Sequence, residues 1–220
     1  MTGHNSHLNA PWFKIFSRLD IEMFIAHRIN TLEELLSLPE TLPIEFDIRD
    51  SNGTCIVTHD PFTLGVSLDI FLNHCTKRFL IVNIKSEGIE KTVLEMLQSR
   101  NIQSFFILDS TIPVIYKFTN QGEKRFAIRL SEVEPLEFIM RWKNKVEWVW
   151  VDCFSKFILT KEVEELLHSS GFKLCLVSPE LQGRSEDIPI YSKKIKESSI
   201  YVDAICTKHY NIDSWNKSLE

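Results

Sequence analysis

The chain has 220 residues, 44% of them hydrophobic, and a formal net charge of -5. That apolar content can fill one sizeable core, while the absence of a basic run interleaved with aromatics argues against a nucleic-acid surface. No stretch reaches the roughly 20 apolar residues that a membrane-spanning helix needs, and residues 1–11 have neither the basic start nor the apolar run of a secretory signal.

A cytoplasmic location is expected from these features. The five cysteines, Cys55, Cys75, Cys153, Cys175 and Cys206, are scattered without a C-x-x-C pair, as reduced and mostly buried thiols would be. Neither an internal repeat nor a Pro/Gly-rich linker divides the chain, so a single domain is expected.

Short apolar and β-branched runs alternate with helix-compatible stretches. Met23-Phe24-Ile25-Ala26 is the first run and ends at His27-Arg28. Thr31 suits the N-cap of a short helix through Leu36. The second run, residues 44–49, alternates strictly. A strand therefore turns Glu45, Asp47 and Arg49 to one face and Ile44, Phe46 and Ile48 to the other. Ser51-Asn52-Gly53 is a turn, and residues 55–58 form a small extended piece leading to His59-Asp60. Residues 66–75 read as mildly helical.

The third run, 79–85, ends at Lys85, and an amphipathic helix follows over 89–98. Runs at 105–108, 126–130 and 148–151 end near Asp109, at Arg129 to Glu132, and at Asp152. Helices are expected over 112–118 and 135–143. A further helix, capped by Thr160, stops at Gly171. The seventh run is 173–177, with Glu180 just beyond it, and the eighth is 202–206.

Eight buried strands alternating with helices predict an α/β protein with the TIM (β/α)8 barrel architecture. The barrel would occupy residues 23–220, and the aromatic N-terminal segment within residues 1–22 would pack on it. A doubly wound open sheet is disfavoured because no Gly-rich phosphate loop follows the first strand. The barrel also explains why nearly every strand finishes in polar or charged residues: the C-terminal strand ends converge on one mouth.

Two adjacent carboxylates repel unless a cation or proton lies between them, and Mg²⁺ or Ca²⁺ suits such oxygen ligands. Glu45 and Asp47 are therefore candidate metal ligands. His27 and His59 are candidate acid and base groups at neutral pH. Arg28 and Lys85 are candidate phosphate-binding cations. Asp109, Asp152 and Glu180 could ligate the metal, pair with Lys85 or Arg129, or touch a polyol substrate. His4, His7, His74, His168 and His209 are read as structural.

The ordered set His27-Arg28, Glu45-Phe46-Asp47, His59-Asp60 and Ile84-Lys85 resembles the signature of the glycerophosphodiester phosphodiesterase family. That family belongs to a wider group of barrel phosphodiesterases that includes phosphatidylinositol-specific phospholipase C-like enzymes. The resemblance implies a (β/α)8 barrel and a metal-dependent phosphoric diester hydrolase of lipid metabolism. It implies His27 and His59 as the acid/base pair, Glu45 and Asp47 as ligands of Mg²⁺ or Ca²⁺, and Arg28 and Lys85 on the phosphate. The substrate would be a small glycerol- or polyol-type phosphodiester, cleaved by water or by a neighbouring hydroxyl in a lyase-type cyclisation. Asn83 occupies the position where the family carries its third metal-ligating Glu, and Ile29 stands where the family usually has Gly. Those departures motivate the alternative, a non-catalytic barrel that binds a phosphorylated ligand.

Overall fold

A computed structural model describes residues 21–220. The segment expected to pack on the barrel therefore lies almost wholly outside the described residues, as do His4 and His7. In chain order the elements begin with β1 (Ile21–Ala26), α1 (Leu32–Ser37), β2 (Ile44–Ser51), β3 (Thr54–Val57), β4 (Val66–Ser67) and α2 (Leu68–Leu72). They continue with β5 (Leu80–Ile84), α3 (Glu90–Ser99), β6 (Phe105–Leu108), α4 (Ile112–Thr119), β7 (Ala127–Leu130) and α5 (Leu136–Met140). The last are β8 (Trp148–Val151), α6 (Lys161–Ser169), β9 (Lys173–Val177), α7 (Ile188–Glu197), β10 (Val202–Thr207) and α8 (Ile212–Leu219).

The strands β1, β2, β5, β6, β7, β8, β9 and β10 run parallel in the spatial order β6-β5-β2-β1-β10-β9-β8-β7. Between β6 and β7 the ladder is interrupted. One parallel bridge, Ile107 to Phe126, spans that seam, and the Ile107 N–H donates to the Arg125 carbonyl at 2.8 Å. With a helix between successive parallel strands, this is the (β/α)8 architecture expected from the strand rhythm. The short β3 and β4 form an antiparallel hairpin on the extended end of β2.

Period-2 alternation divides the apolar side chains between two layers. Ile44, Phe46 and Ile48 face outward into the layer beneath the helices, where Phe46 packs on Phe71 with ring centroids 4.9 Å apart. Ile25, Ile81, Phe106, Trp148, Trp150, Cys175 and Ala204 belong to the inner layer. Phe106 lies 4.9 Å from Trp148 and 6.4 Å from Trp150 between centroids, so aromatic rings fill the barrel beneath its mouth. All five cysteines are free and buried, as expected.

Thr31 caps α1 in a full capping box with Glu34. Residues 66–75 differ from their helical expectation: Val66 and Ser67 pair with β3 before α2 begins at Leu68. The helices α7 and α8 were not anticipated. Their apolar residues do recur at helical spacing, Ile188, Tyr191 and Ile195 on α7 and Ile212, Trp215 and Leu219 on α8. Tyr191 and Ile195 are buried from α7, and Trp215 from α8 donates its Nε1–H to Ser178 at 2.8 Å.

His168 on α6 bridges two acids outside the barrel. Its Nδ1 meets Glu164 at 2.7 Å and its Nε2 meets Asp203 at 2.9 Å. Burial alone would depress this imidazole, but the hydrogen bonds and charges of Asp203 and Glu164 raise it above 6.5. The folded chain therefore holds a proton that the unfolded chain has released. This contribution is complete below pH 6.5 and is lost as the pH rises through the folded value. In urea-unfolding titrations, stability should decline above pH 6.5, and the His168→Gln variant should flatten that decline.

Candidate active site

Glu45 and Asp47 lie inside the barrel on β2, with side chains that are essentially inaccessible. Burying two like charges is costly without local partners. Glu45 Oε2 accepts the Arg28 backbone N–H at 2.6 Å, and Oε1 accepts from Asn83 Nδ2 at 2.8 Å. Asp47 Oδ2 accepts from Asn30 Nδ2 at 2.8 Å, while Asn30 Oδ1 receives the Asp47 N–H at 2.9 Å. Lys85 Nζ is 3.6 Å from Asp47 Oδ1, and Arg28 Nε is 3.8 Å from Oδ2. Burial, and then the charge of Asp47, push Glu45 up to about 7; the bonds from Asn83 and Arg28 pull the other way.

Arg28 adopts a left-handed backbone with φ 57°, and its N–H donates to Glu45. A non-glycine residue in that region stores modest strain, a feature concentrated at functional sites. His27 precedes it, with Nε2 3.7 Å from Glu45 Oε2. Burial, followed by the charges of Lys208, Arg28, Lys85 and His59, lowers His27 to about 3, so the ring is neutral at pH 7.

His59 reaches the mouth from the β3–β4 loop. The Thr58 N–H donates to the Asp47 carbonyl at 3.0 Å. Arg49 joins the His59 carbonyl at 2.7 Å to that of Lys85 at 2.9 Å. The imidazole Nδ1 is 2.7 Å from Asp60 Oδ1. A half-buried His59 thus sits on a braced loop beside the carboxylate pair.

From Asp47 a chain of alternating charge crosses successive strand ends. Lys85 Nζ donates to Asp109 Oδ2 at 2.9 Å, and Arg129 donates to Asp109 Oδ1 at 2.5 Å. Arg129 Nε is 3.8 Å from Asp152 Oδ2, and Gln182 donates to Asp152 Oδ1 at 2.7 Å. Burial raises Asp152, partly offset by Arg129. Glu180 has a bracing role: it accepts from Thr207 Oγ1 at 2.5 Å, from the Lys208 N–H at 3.1 Å and from Ser178, locking the ends of β9 and β10 together.

Two buried polar atoms in this mouth, His27 Nδ1 and Asn83 Oδ1, have no hydrogen-bond partner among the described residues. Unpaired buried polar atoms are uncommon, and Arg78 Nε, Arg184 Nε and Ser192 Oγ share the condition elsewhere among the described residues. Among the described residues no group of three or more His, Cys, Asp or Glu side chains is arranged to hold a metal. The carboxylates of Asp109 and Asp152 are engaged by Lys85, Arg129 and Gln182. The oxygens that could hold a cation here are those of Glu45 and Asp47, with the unpartnered Asn83 Oδ1 as a neutral third. A cavity of about 460 Å³ lined by Met23, Phe24, Leu42, Pro43 and Phe79 opens at the opposite end of the barrel, away from these groups.

No family model and no curated protein sequence matches the chain. Among solved structures, it is similar to the crystal structure named "Putative glycerophosphoryl diester phosphodiesterase" from Agrobacterium tumefaciens. The TM-score is 0.62 at 10% identity, over 88% of this chain and 97% of that one. The likeness establishes the barrel fold.

The structure of the barrel brings His27, Arg28, Glu45, Asp47, Asn83, Lys85, Asp109, Arg129 and Asp152 to one mouth, with His59 on the adjoining loop. Sequence reading assigned no role to Asn30, Arg49 or Glu132. Asn30 follows the first strand end closely, a position that must overhang the mouth. Arg49 continues the Glu45/Asp47 alternation. Glu132 accepts backbone N–H groups of Phe154, Ser155 and Lys156 at 2.7–3.1 Å, tying two mouth loops together. Burial opposes its charge, but those bonds hold it down at about 2.

Gly65 closes the loop that carries His59. A Cβ there would lie 2.4 Å from the Val57 carbonyl oxygen, against backbone that cannot yield cheaply. The Gly65→Ala variant should lose roughly 1–3 kcal/mol in urea unfolding and displace His59, seen as a changed His59 imidazole resonance.

Proposed function

We propose that the protein is a phosphodiesterase acting on glycerol- or polyol-type phosphodiesters, with a divalent cation such as Mg²⁺ or Ca²⁺ held by Glu45, Asp47 and Asn83. The observation that carries the reading is the buried Glu45/Asp47 pair, flanked by His27, Arg28 and Lys85 and next to two unpartnered polar atoms. The barrel likeness to a protein bearing a phosphodiesterase name supports it.

When bound, the cation polarises the phosphoryl oxygen and offsets charge developing on it. Lys85 and Arg28 supply positive charge to the same phosphate. His27, neutral at physiological pH, takes the proton from the attacking hydroxyl as its oxygen bonds to phosphorus. The phosphorus–oxygen bond to the alcohol then breaks, and His59 donates a proton to the departing oxygen. Asp60 accepts from His59 Nδ1, which leaves Nε2 to face the substrate. An attacking substrate hydroxyl gives a cyclic phosphate, and water gives a phosphomonoester; ³¹P NMR of the product identifies the nucleophile.

A second reading is favoured by Asn83. Its amide donates to Glu45 in the place of a third carboxylate, which suits a barrel that binds a phosphorylated ligand without cleaving it. The two readings separate in assays with bis(p-nitrophenyl) phosphate and glycerophosphodiesters in the presence of Mg²⁺, Ca²⁺ or EDTA. Turnover should be lost with EDTA and should fall roughly 10²–10⁴-fold in His27→Ala. Silence across the panel together with ligand binding supports the second reading. By calorimetry, Asn83→Glu should bind the cation more tightly, because a charged oxygen replaces a neutral one.

A further inference from the structure

Period-2 alternation carries the inward face of each barrel strand into the residue just beyond it. Ile25 leads to His27, Ile81 to Lys85 and Ala127 to Arg129. On β10, Ala204 and Cys206 belong to the same inner layer, and Lys208 follows in extended backbone, φ -65° and ψ 138°. Lys208 therefore faces the mouth, where it is half-buried. It stands beside His27, whose backbone N–H donates to the Thr207 carbonyl at 2.8 Å. Burial is the first cause that lowers His27, and the charge of Lys208 is the next, ahead of those of Arg28 and Lys85. The other cations on these strand ends are engaged: Arg28 by Asp47, Lys85 by Asp47 and Asp109, and Arg129 by Asp109 and Asp152. The Lys208 ammonium has no hydrogen bond or ion pair among the described residues. Glu180 is close, but its oxygens are taken by Thr207, Ser178 and the Lys208 backbone N–H. An exposed lysine without a partner needs no explanation; an inward-facing, half-buried one among other cations does.

We propose that Lys208 receives a second anionic group of the substrate, a carboxylate or phosphate on the alcohol that keeps the reacting phosphate. The site then selects diesters of an acidic alcohol, such as glycerate or glycerol phosphate, over diesters of glycerol itself. The inference rests on the phosphodiesterase reading and narrows its substrate class. Strand order sets the direction: β2 and β5 lie on one side of β1 and β10 on the other. Lys208 thus flanks His27 on the side away from Glu45, Asp47 and Lys85, where the reacting phosphate sits in that reading. The far flank of His27 is left for the remainder of the alcohol whose hydroxyl gives its proton to that ring. An ammonium meets a carboxylate or a phosphate equally as a point charge. Selection between a neutral and an acidic alcohol is then a difference in pairing that Lys208 supplies.

The p-nitrophenyl phosphodiesters of glycerol, glycerate and glycerol phosphate test this, because only the substituent far from the reacting phosphate differs. Release of p-nitrophenolate with Mg²⁺ gives kcat and KM, and calorimetry in EDTA gives binding without turnover. An acidic diester should exceed the glycerol diester about tenfold in kcat/KM, chiefly through KM. Whichever acidic diester gains more identifies the group as carboxylate or phosphate. Lys208→Gln should erase the preference, Lys208→Arg should keep most of it, and Lys208→Glu should reverse it, with folding checked by circular dichroism. Equal kcat/KM for all the diesters in the unaltered chain, or a preference that survives Lys208→Gln, overturns the proposal. So does an equal loss on every diester in Lys208→Gln, which puts the lysine on the reacting phosphate. If no diester turns over, an acidic diester that binds in EDTA and is weakened about tenfold by Lys208→Gln supports the second anionic group while removing the phosphodiesterase reading. Without turnover and without that difference in binding, the proposal is overturned.

Discussion

The site depends on burying two carboxylates, two residues apart, inside a barrel. Taking Glu45 and Asp47 out of water is unfavourable by several kcal/mol per charge unless donors and cations replace the lost solvent. The chain supplies these from three places. The loop after β1 provides the Arg28 N–H and the Asn30 amide, β5 provides Asn83, and the residue beyond β5 provides Lys85. The positions of β1, β2 and β5 are therefore coupled through this pair. The left-handed backbone at Arg28 sits in the same arrangement, turning the chain from β1 toward Asn30.

Lys85 extends the consequences round the mouth. It lies between Asp47 and Asp109, and Asp109 shares its other oxygen with Arg129, which faces Asp152. Asp47, Asp109 and Asp152 thus each face a cation from an adjacent strand end. These pairs are partly exposed and individually weak; their effect is to fix side-chain direction. They also engage Asp109 and Asp152, whereas Asn83, which donates its amide to Glu45, keeps an Oδ1 without a partner among the described residues. Below them, the Phe106, Trp148 and Trp150 rings form a dry floor that strengthens every electrostatic interaction above it.

Much of the barrel was legible in the sequence because its strands are apolar runs with punctuated ends. Residues 44–49 show it best: a period of two put Glu45 and Asp47 on one face, and both do point into the barrel. The helices α7 and α8 were missed although their pattern is local: Ile188, Tyr191 and Ile195, and Ile212, Trp215 and Leu219, stand at i, i+3 and i+7. Residues 66 and 67 read as helix because local pattern cannot register the partner strand that captures them. Glu180 looked like the other strand-end acids, yet its oxygens tie together the ends of β9 and β10.

The sequence by itself determined the alternation of strands and helices, the inward face of β2, and the set of strand-end residues able to meet at one mouth. These follow from chain periodicity, which is local. Only the tertiary structure decided that Asn83 lies beside Asp47 in register and donates to Glu45, that Asn30 grips Asp47, and that Asp109 is held between Lys85 and Arg129. The reason is physical: partners 17 to 38 residues apart are chosen by strand register and barrel curvature, and no local pattern encodes them.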